Sequence, residues 1–356
     1  MRNMFTRQLS SIFLTLLFFG FVSWTSFAQF SAVKQMVVEF TGYGGSGASG
    51  ALVIDGTNGP NNPLYTDNVR TRTTSAITAG ATSISVNSIS GFANGNEVLI
   101  IQMLGTNAGK FETATINAVP SGSTLSFSSA LKNSYPAYSA GTQVTQVIAV
   151  PNYSSLTINS GGYLSAHAFD GQTGGVVFFR SSGAVNVEYN ATYSGRIVAN
   201  GIGFAGGSAG AAGSGPGGGS SASSIGAGGS NTSPVNDQYA IMGSGGGGGS
   251  AAGAAGGGIV MFKTSGALKL DGVISADGAA AASGNAGGGS GGTILITASS
   301  VTKTSTCGPL QVLGGAGNGS GGTGGAGRLL IKYQTSLGCT NGNPSTSSSY
   351  QKFILK

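Results

Sequence analysis

The strongest constraint on this chain is a fourteen-residue phrase that it writes twice. Residues 174–187 read GGVVFFRSSGAVNV and residues 257–270 read GGIVMFKTSGALKL; GRIVANG at 195–201 and GVISADG at 272–278 follow in turn. The copies exchange Val for Ile, Arg for Lys, Ser for Thr and Val for Leu, so side-chain shape is kept while identity drifts. A short strand–turn–strand unit cannot cover its own apolar side, and chains that repeat one stack the copies on each other.

Within each copy the apolar residues alternate with period two, the spacing of a strand with one buried side. Val260 and Phe262, Leu268 and Leu270, then Ile274 and Ala276 share that side in the later copy. Val177 and Phe179, Val185 and Val187, then Ile197 and Ala199 do so in the earlier one. Intervening positions are polar at Arg180, Asn186, Lys263 and Lys269 but apolar at Phe178 and Met261. Weaker echoes at Leu156 and Ile158, Leu164 and Ala166, Ile294 and Ile296, and Leu329 and Ile331 extend the pattern. The expectation is a parallel β-solenoid over residues 151–338, each coil made of about three short strands.

Glycine tracts at 203–229, 243–258, 284–292 and 314–327 separate these units. Glycine contributes 66 of 356 residues, far above the ordinary share of about 7%. Strict Gly-X-Y periodicity is absent, which excludes collagen. Two readings compete for the tracts. Gly/Ser linkers are flexible coils, whereas side-chain-free segments can also pack backbone to backbone as extended three-fold helices. Their low charge and their recurrence at corresponding places in successive repeats favour packed, polyglycine-type loops.

Before the solenoid, residues 76–150 carry short strands punctuated by Gly, Asn and Pro, including an Asn94-Gly95 hairpin signal. They predict a small β-barrel- or sandwich-like domain. Residues 29–75 read as an irregular lead-in and 339–356 as a Ser/Thr-rich tail. The fold class expected is therefore all-β: a small N-terminal β-domain, then a glycine-rich parallel β-solenoid.

Residues 1–28 have the layout of a secretory signal peptide. Arg2 and Arg7 precede the apolar run Ile12–Val22, and Ser26-Phe27-Ala28 supplies a small-x-small cleavage site. Removing Arg2 and Arg7 leaves 14 basic residues against 10 acids, a formal +4. The basic residues are scattered, which argues against nucleic acid or an anionic membrane as partner. No later segment reaches transmembrane length. Cys307 and Cys339 are the only cysteines, and export favours a disulfide between them. A metal site is the competing reading, but no His lies near enough to complete it.

Enzyme motifs occur by spelling alone. Gly42–Gly47 matches a dinucleotide-loop pattern without a following strand–helix unit. Gly105–Lys110 ends like a phosphate loop but lacks its spacing and its Ser/Thr. Ser208 and Ser290 sit in G-x-S-x-G contexts, yet the sole histidine, His167, would have to serve as base, with Asp170 as its partner. The ten acids are too dispersed for a polysaccharide-cleaving groove, and Asp271 and Asp277, each before a Gly, read as turn residues. No catalytic residue, cofactor or metal is expected.

Tyrosines cluster at 135, 138, 153, 163, 189 and 193, between the β-domain and the first full repeat. Packing is their default role; the sharper alternative is a glycan-contacting patch formed by Tyr153, Tyr163, Tyr189 and Tyr193.

The stretches GFANGNEVLIIQM, GKFET, QVIAVPNYSSLTI, LSAHAFDGQTGGVVFF and GRIVANGIGFAGG, with GGSGGTILI and GGAGRLLIKY further on, resemble glycine-rich surface proteins of Gram-negative bacteria. That group includes gliding-motility-associated proteins and large adhesins. The resemblance implies a secreted or cell-surface β-helical module without defined catalytic residues. This chain is shorter than the large members, and its short tail after Cys339 carries no expectation of a separate anchoring domain. Three functions follow, in order of expectation. The first is structural or adhesive, including self-association into fibres; the second is a carbohydrate-binding module; the third is a polysaccharide-degrading enzyme. The expected partner is an extracellular polymer, a glycan in the second case.

Overall fold

The computed structural model describes residues 44–56, 62–118, 122–222, 225–229, 238–304, 308–336, 338 and 349–354, the last six by backbone alone. The expected signal peptide, and Cys307 and Cys339 of the expected disulfide, lie outside the described residues. Among the described residues every regular element is a strand, and no helix is long and apolar enough to cross a membrane.

Successive coils lay strands into three parallel sheets. The first coil supplies β1 (Ala51–Ile54) and β2 (Leu64–Tyr65). An insertion follows, with β3 (Arg70–Arg72), β4 (Ser83–Ser85), β5 (Glu97–Leu104), β6 (Phe111–Ala118), β7 (Thr124–Phe127) and β8 (Val144–Ala149). The second coil has β9 (Asn152–Tyr153), β10 (Ser155–Ile158) and β11 (Tyr163–Ser165); the third has β12 (Val176–Ser181), β13 (Val185–Val187) and β14 (Arg196–Val198). A short antiparallel pair, β15 (Ser221–Ala222) and β16 (Ile225–Gly226), lies within the glycine region. The fourth coil has β17 (Ile259–Thr264), β18 (Ala267–Leu270) and β19 (Val273–Ser275); the fifth has β20 (Thr293–Ala298), β21 (Ser300–Thr302) and β22 (Leu310–Gln311). β23 (Arg328–Tyr333) and β24 (Ser349–Ile354) complete the series.

The first parallel sheet runs β24-β23-β20-β17-β12-β9, the second β1-β10-β13-β18-β21, and the third β2-β11-β14-β19-β22. Register pairs Ile259 with Thr293 and Thr293 with Arg328, so one coil takes 34 residues and the next 35. The two written-out phrases are strand neighbours: Val176–Ser181 pairs residue for residue with Ile259–Thr264.

Alternation puts one apolar row of each sheet inside. Val177, Val260, Ile294 and Leu329 line the first sheet; Leu156, Val185, Leu268 and Val301 the second; Leu164, Ile197, Ile274 and Leu310 the third. Phe179 and Phe262 stack inside, with centroids 4.8 Å apart and planes 8° from parallel. Ala166, Ala199 and Ala276 keep the end of the third sheet thin, where each coil turns away toward the glycine tracts.

Two expectations require correction. Residues 51–54 and 64–65 are not irregular: β1 pairs in parallel with β10 and β2 with β11, so they belong to the first coil. Their partners lie about a hundred residues on because the insertion intervenes, which hides the relation from local reading. Likewise the segment expected as a tail contains β24, paired in parallel with β23 from Arg328↔Ser349 to Tyr333↔Ile354.

The inserted antiparallel sheet runs β3-β8-β5-β6-β7-β4, starting at Arg70 rather than 76. A bridge between Thr73 and Val86 joins its two edges, around Ile84, Val98, Ile100, Ile116, Leu125, Phe127 and Val147. Its other side, with Leu99, Ile101 and Ile148, packs on the outer row of the first parallel sheet: Val176, Phe178, Ile259, Met261, Leu295 and Leu330. This explains the apolar Phe178 and Met261 at positions where a solvent-facing strand would be polar. Glu97 locks the contact, its carboxylate accepting from Arg180 Nε at 2.8 and 2.7 Å while Asn152 Nδ2 donates at 3.3 Å.

The glycine tracts are the long turns between the third sheet and the next first-sheet strand. Gly243–Gly249 are all buried, and none has a positive φ. Their N–H groups turn to a new neighbour at each step and return every third residue. Gly243 and Gly246 donate to Gly257 O and Ala254 O, Gly245 and Gly248 to Ser214 O and Ala211 O, and Gly247 to Ala227 O. Their carbonyls accept with the same period, Gly243, Gly246 and Gly249 from Phe204, Gly207 and Gly210 N–H. A Cβ on Gly246 would overlap the Gly287 carbonyl, and one on Gly248 the Ser208 carbonyl. Contact between backbones replaces side-chain packing here.

Candidate functional site

The covered surfaces determine where a partner can reach. The insertion occupies the outer face of the first sheet, and the glycine turns occupy the corner between the third sheet and the first. The opposite corner, between the second and third sheets, is where the tyrosines gather.

Tyr189 and Tyr193 are 56% and 55% exposed, at the two ends of the turn that joins β13 to β14. A bridge between Tyr189 and Ser194 closes that turn. Asn190 Oδ1 rigidifies it by accepting from Thr192 N–H at 2.9 Å and Tyr193 N–H at 2.7 Å. Gly161 N–H donates to Ser194 O at 3.2 Å, which holds the turn beside the preceding coil. Tyr163 sits in that coil opposite Arg196 in the β11–β14 register, and the guanidinium lies 4.8 Å over its ring. Glu188 adds a carboxylate beside Tyr189 and pairs with Lys269 Nζ at 3.2 Å. Lys269 also meets Asp271 at 3.4 Å, and its ammonium pKa is raised, chiefly by the Glu188 hydrogen bond.

Tyr163, Tyr189 and Tyr193 are thus brought to one edge, and Tyr153 is not. Tyr153 is 8% exposed, lies inside the coils 6.0 Å from Phe179, and burial pushes its phenol up to about 12. It is a core residue. Tyr135 is likewise buried, in the insertion, its phenol pushed up by burial and then by the charge of Glu112. Arg196 escaped sequence reading: its relation to Tyr163 depends on coil register, and no short spacing signals it.

His167 does not pair with Asp170. Asp170 Oδ1 accepts from its own turn, Gln172 N–H at 2.8 Å and Thr173 N–H at 2.7 Å. The partner of His167 is Asp67, one coil earlier and wholly buried, with Oδ1 2.9 Å from Nδ1 and 3.0 Å from the His167 backbone N. Tyr65 stacks on the imidazole, centroids 4.1 Å apart. Arg70 Nη1 is 3.0 Å from the same Nδ1 but donates to Asp67 O at 2.9 Å.

This column of residues has a structural use. Asp67 accepts from His167 N–H, Asn200 Oδ1 from Asp277 N–H at 2.7 Å, and Asp277 Oδ1 from Leu313 N–H at 2.6 Å. Side-chain oxygens continue the ladder past the ends of the third-sheet strands. Asp271 does the same for Thr304 N–H at 2.7 Å. Both aspartates expected to serve their own turns therefore tie adjacent coils together. Burial pushes the Asp271 carboxyl up, but Thr304 and Lys269 outweigh it and hold the pKa below the usual range. For Asp277 burial wins over the Leu313 bond, and its pKa is raised. Ser290 is buried, donating to Ser244 O and accepting from Ser244 N–H, so its G-x-S-x-G context is part of the glycine packing. No group of three metal-ligating side chains occurs among the described residues.

The fold and this edge define an all-β protein of stacked parallel coils with an aromatic corner. No family model and no curated protein matches the chain. Among solved structures it is similar to the tailspike protein gp49 from Pseudomonas phage LKA1, at 11% identity and a TM-score of 0.21, over 80% of this chain and 41% of that one. It is similar also to the Gp54 tailspike of Acinetobacter baumannii bacteriophage AP22, solved with A. baumannii capsular saccharide, at 13% identity and a TM-score of 0.22, over 85% of this chain and 60% of that one. The chain thus spans about half the length of these tailspikes, and at such TM-scores the likeness carries no argument for its function.

Proposed function

We propose that this is an exported surface β-helix that attaches to extracellular polysaccharide through the corner formed by Tyr163, Tyr189, Tyr193 and Arg196. In this reading the insertion is a closed barrel and the glycine tracts are packed three-fold helices, together holding the corner rigid. One observation carries the proposal: two tyrosines are more than half exposed on a pinned turn, beside a third that is stacked under an arginine. Aromatic faces bind the C–H faces of sugars, and rigid rings lose little entropy on doing so. The remaining polar groups, Glu188 and Asn190, can orient hydroxyls.

The test is glycan-array binding by the secreted chain, followed by Tyr189→Ala and Tyr193→Ala together. Loss of two stacking contacts of about 1 kcal/mol each weakens binding by roughly 30-fold. Unchanged affinity for the best array glycan in the double variant removes this edge from the reading. A second reading, association of coils end to end, is supported by the first coil, where Val53 is 61% and Leu64 40% exposed on edge strands. It predicts that scattering mass rises with concentration and that Val53→Lys abolishes the rise; a concentration-independent monomer refutes it.

A further inference from the structure

A second site lies apart from the tyrosine corner, where the insertion, the turn after β11 and the first glycine tract meet. A cavity of about 550 Å³ opens there, bordered by Tyr138, Phe169, Phe204, Asp170, Gln172 and Ser214. Three independent segments build it, and each is held. Tyr138 is backed by the Arg72 guanidinium at 3.7 Å from its centroid, and Arg72 Nε donates to Gln172 Oε1 at 2.7 Å. Phe169 meets Phe204 edge-on, with centroids 5.5 Å apart and planes at 85°. Gln146 clamps the far end of the Phe169 turn through Gly174, accepting from its N–H at 2.6 Å and donating to its O at 3.1 Å. The Asp170 turn fixes that carboxylate with Oδ1 engaged, leaving Oδ2 with one long contact, 3.4 Å from Thr173 Oγ1. At Gly215, with φ of +95°, any side chain would run into the Phe204 ring.

We propose that this cavity binds the terminal pyranose residues of a neutral or amino-bearing glycan. Cavities of this size and mixed character suit small polar ligands with apolar faces. Tyr138, Phe169 and Phe204 offer ring surface to the C–H face of a sugar. Asp170 Oδ2 accepts from hydroxyl or ammonium groups, and Gln172 Nε2 donates to hydroxyl oxygens. Asp170 is the one charged side chain bordering the cavity among the described residues, so a sugar carboxylate meets like charge. Glycan recognition here rests on the cavity alone and not on Tyr189 and Tyr193.

Saturation-transfer NMR on the full secreted chain with glucose, cellobiose, galactosamine and glucuronate tests it. The expected result is transfer to the first three, with glucuronate at least about tenfold weaker. Tyr138→Ala weakens binding about tenfold, the loss of one stacked ring. Ala140→Trp, at an exposed bordering position, blocks entry while leaving Tyr138 and Arg72 in place, so loss of transfer there is not a folding effect. Asp170→Asn keeps the turn's acceptor and narrows the glucuronate gap to under about threefold. Transfer persists in the Tyr189→Ala, Tyr193→Ala double variant, which separates this site from the corner. Absence of transfer to all four sugars, equal binding of glucuronate, or full binding by Ala140→Trp would each overturn the proposal.

Discussion

If the glycine tracts are packed three-fold helices, a single methyl group at their centre is intolerable, and Gly246→Ala is the sharpest test. Gly246 donates to Ala254 O at 2.9 Å and accepts from Gly207 N–H at 2.9 Å; next to it, Gly247 O accepts from Gly287 N–H at 2.9 Å. The new Cβ would overlap Gly287 O and C, so the 287–290 segment must move outward. Three backbone hydrogen bonds are then stretched or lost, at about 1 kcal/mol each, and overpacking adds about 1–3 kcal/mol. Against this, alanine restricts the unfolded chain and returns about 0.4–1 kcal/mol. The net destabilisation is on the order of 4 kcal/mol, which lowers the melting temperature by roughly 5 °C for a chain of this size.

A loose linker predicts the opposite sign. With nothing to strike, Gly246→Ala would stabilise by the unfolded-state term alone. The control is Gly95→Ala, where φ is +82° and nothing lies within 4 Å of a Cβ; it costs about 1 kcal/mol of backbone strain only. Thermal melts followed by far-UV circular dichroism compare the two variants with wild type. Gly246→Ala melting at or above the wild-type temperature would show that these tracts do not pack as described.

Two further outcomes follow from the same contacts. The Asp277 pKa is raised in the folded chain by burial, so its contribution to stability is full below the unfolded carboxyl pKa and is lost as pH rises through the folded one. Asp277→Asn, matching Asn200 in the previous coil and keeping the Leu313 bond, should therefore raise the melting temperature at pH 7 and leave it unchanged at pH 3. Arg180→Met removes the partner of Glu97, whose side chain is 17% exposed. Breaking a largely buried pair costs about 3 kcal/mol, and amide exchange should accelerate across β5 and β8 while β20 and β23 stay protected.

Much of the coil interior was legible in the sequence because period-two alternation reports burial directly. Val177, Phe179, Val260 and Phe262 face inward as their spacing implies. What escaped depends on relations that only register creates. Phe178 and Met261 look like faults in an amphipathic strand until the insertion is seen to cover them. Ala51–Ile54 looks like linker because the strand it pairs with begins at Ser155. Tyr153 falls among the surface tyrosines by proximity in sequence, yet it is packed in the core against Phe179. In sequence the nearest acid to His167 is Asp170, but a coil places residues a full turn apart side by side and brings Asp67 to it.

The division of labour between side chains and backbone also decides which surface is left for a ligand. A parallel sheet buries one face by its own coiling, and here the first sheet's other face is sealed by the insertion through Phe178, Met261 and Leu295. The glycine turns seal the next corner using no side chains, so they offer a partner carbonyls and N–H groups that are already paired with each other. A residue that binds on the coils' own surface must therefore stand where neither cover reaches, whereas the cavity beside Tyr138 and Phe204 lies where the two covers meet. Among the described residues the turn from Tyr189 to Ser194 meets that condition, because it joins β13 to β14 at a corner that carries neither insertion nor glycine tract. Its tyrosines remain exposed although the fold buries rings of equal size elsewhere, as at Tyr135 and Tyr153. Exposure of two large rings on a turn locked by Asn190 gains nothing for folding, and that is the feature on which the proposed glycan contact rests.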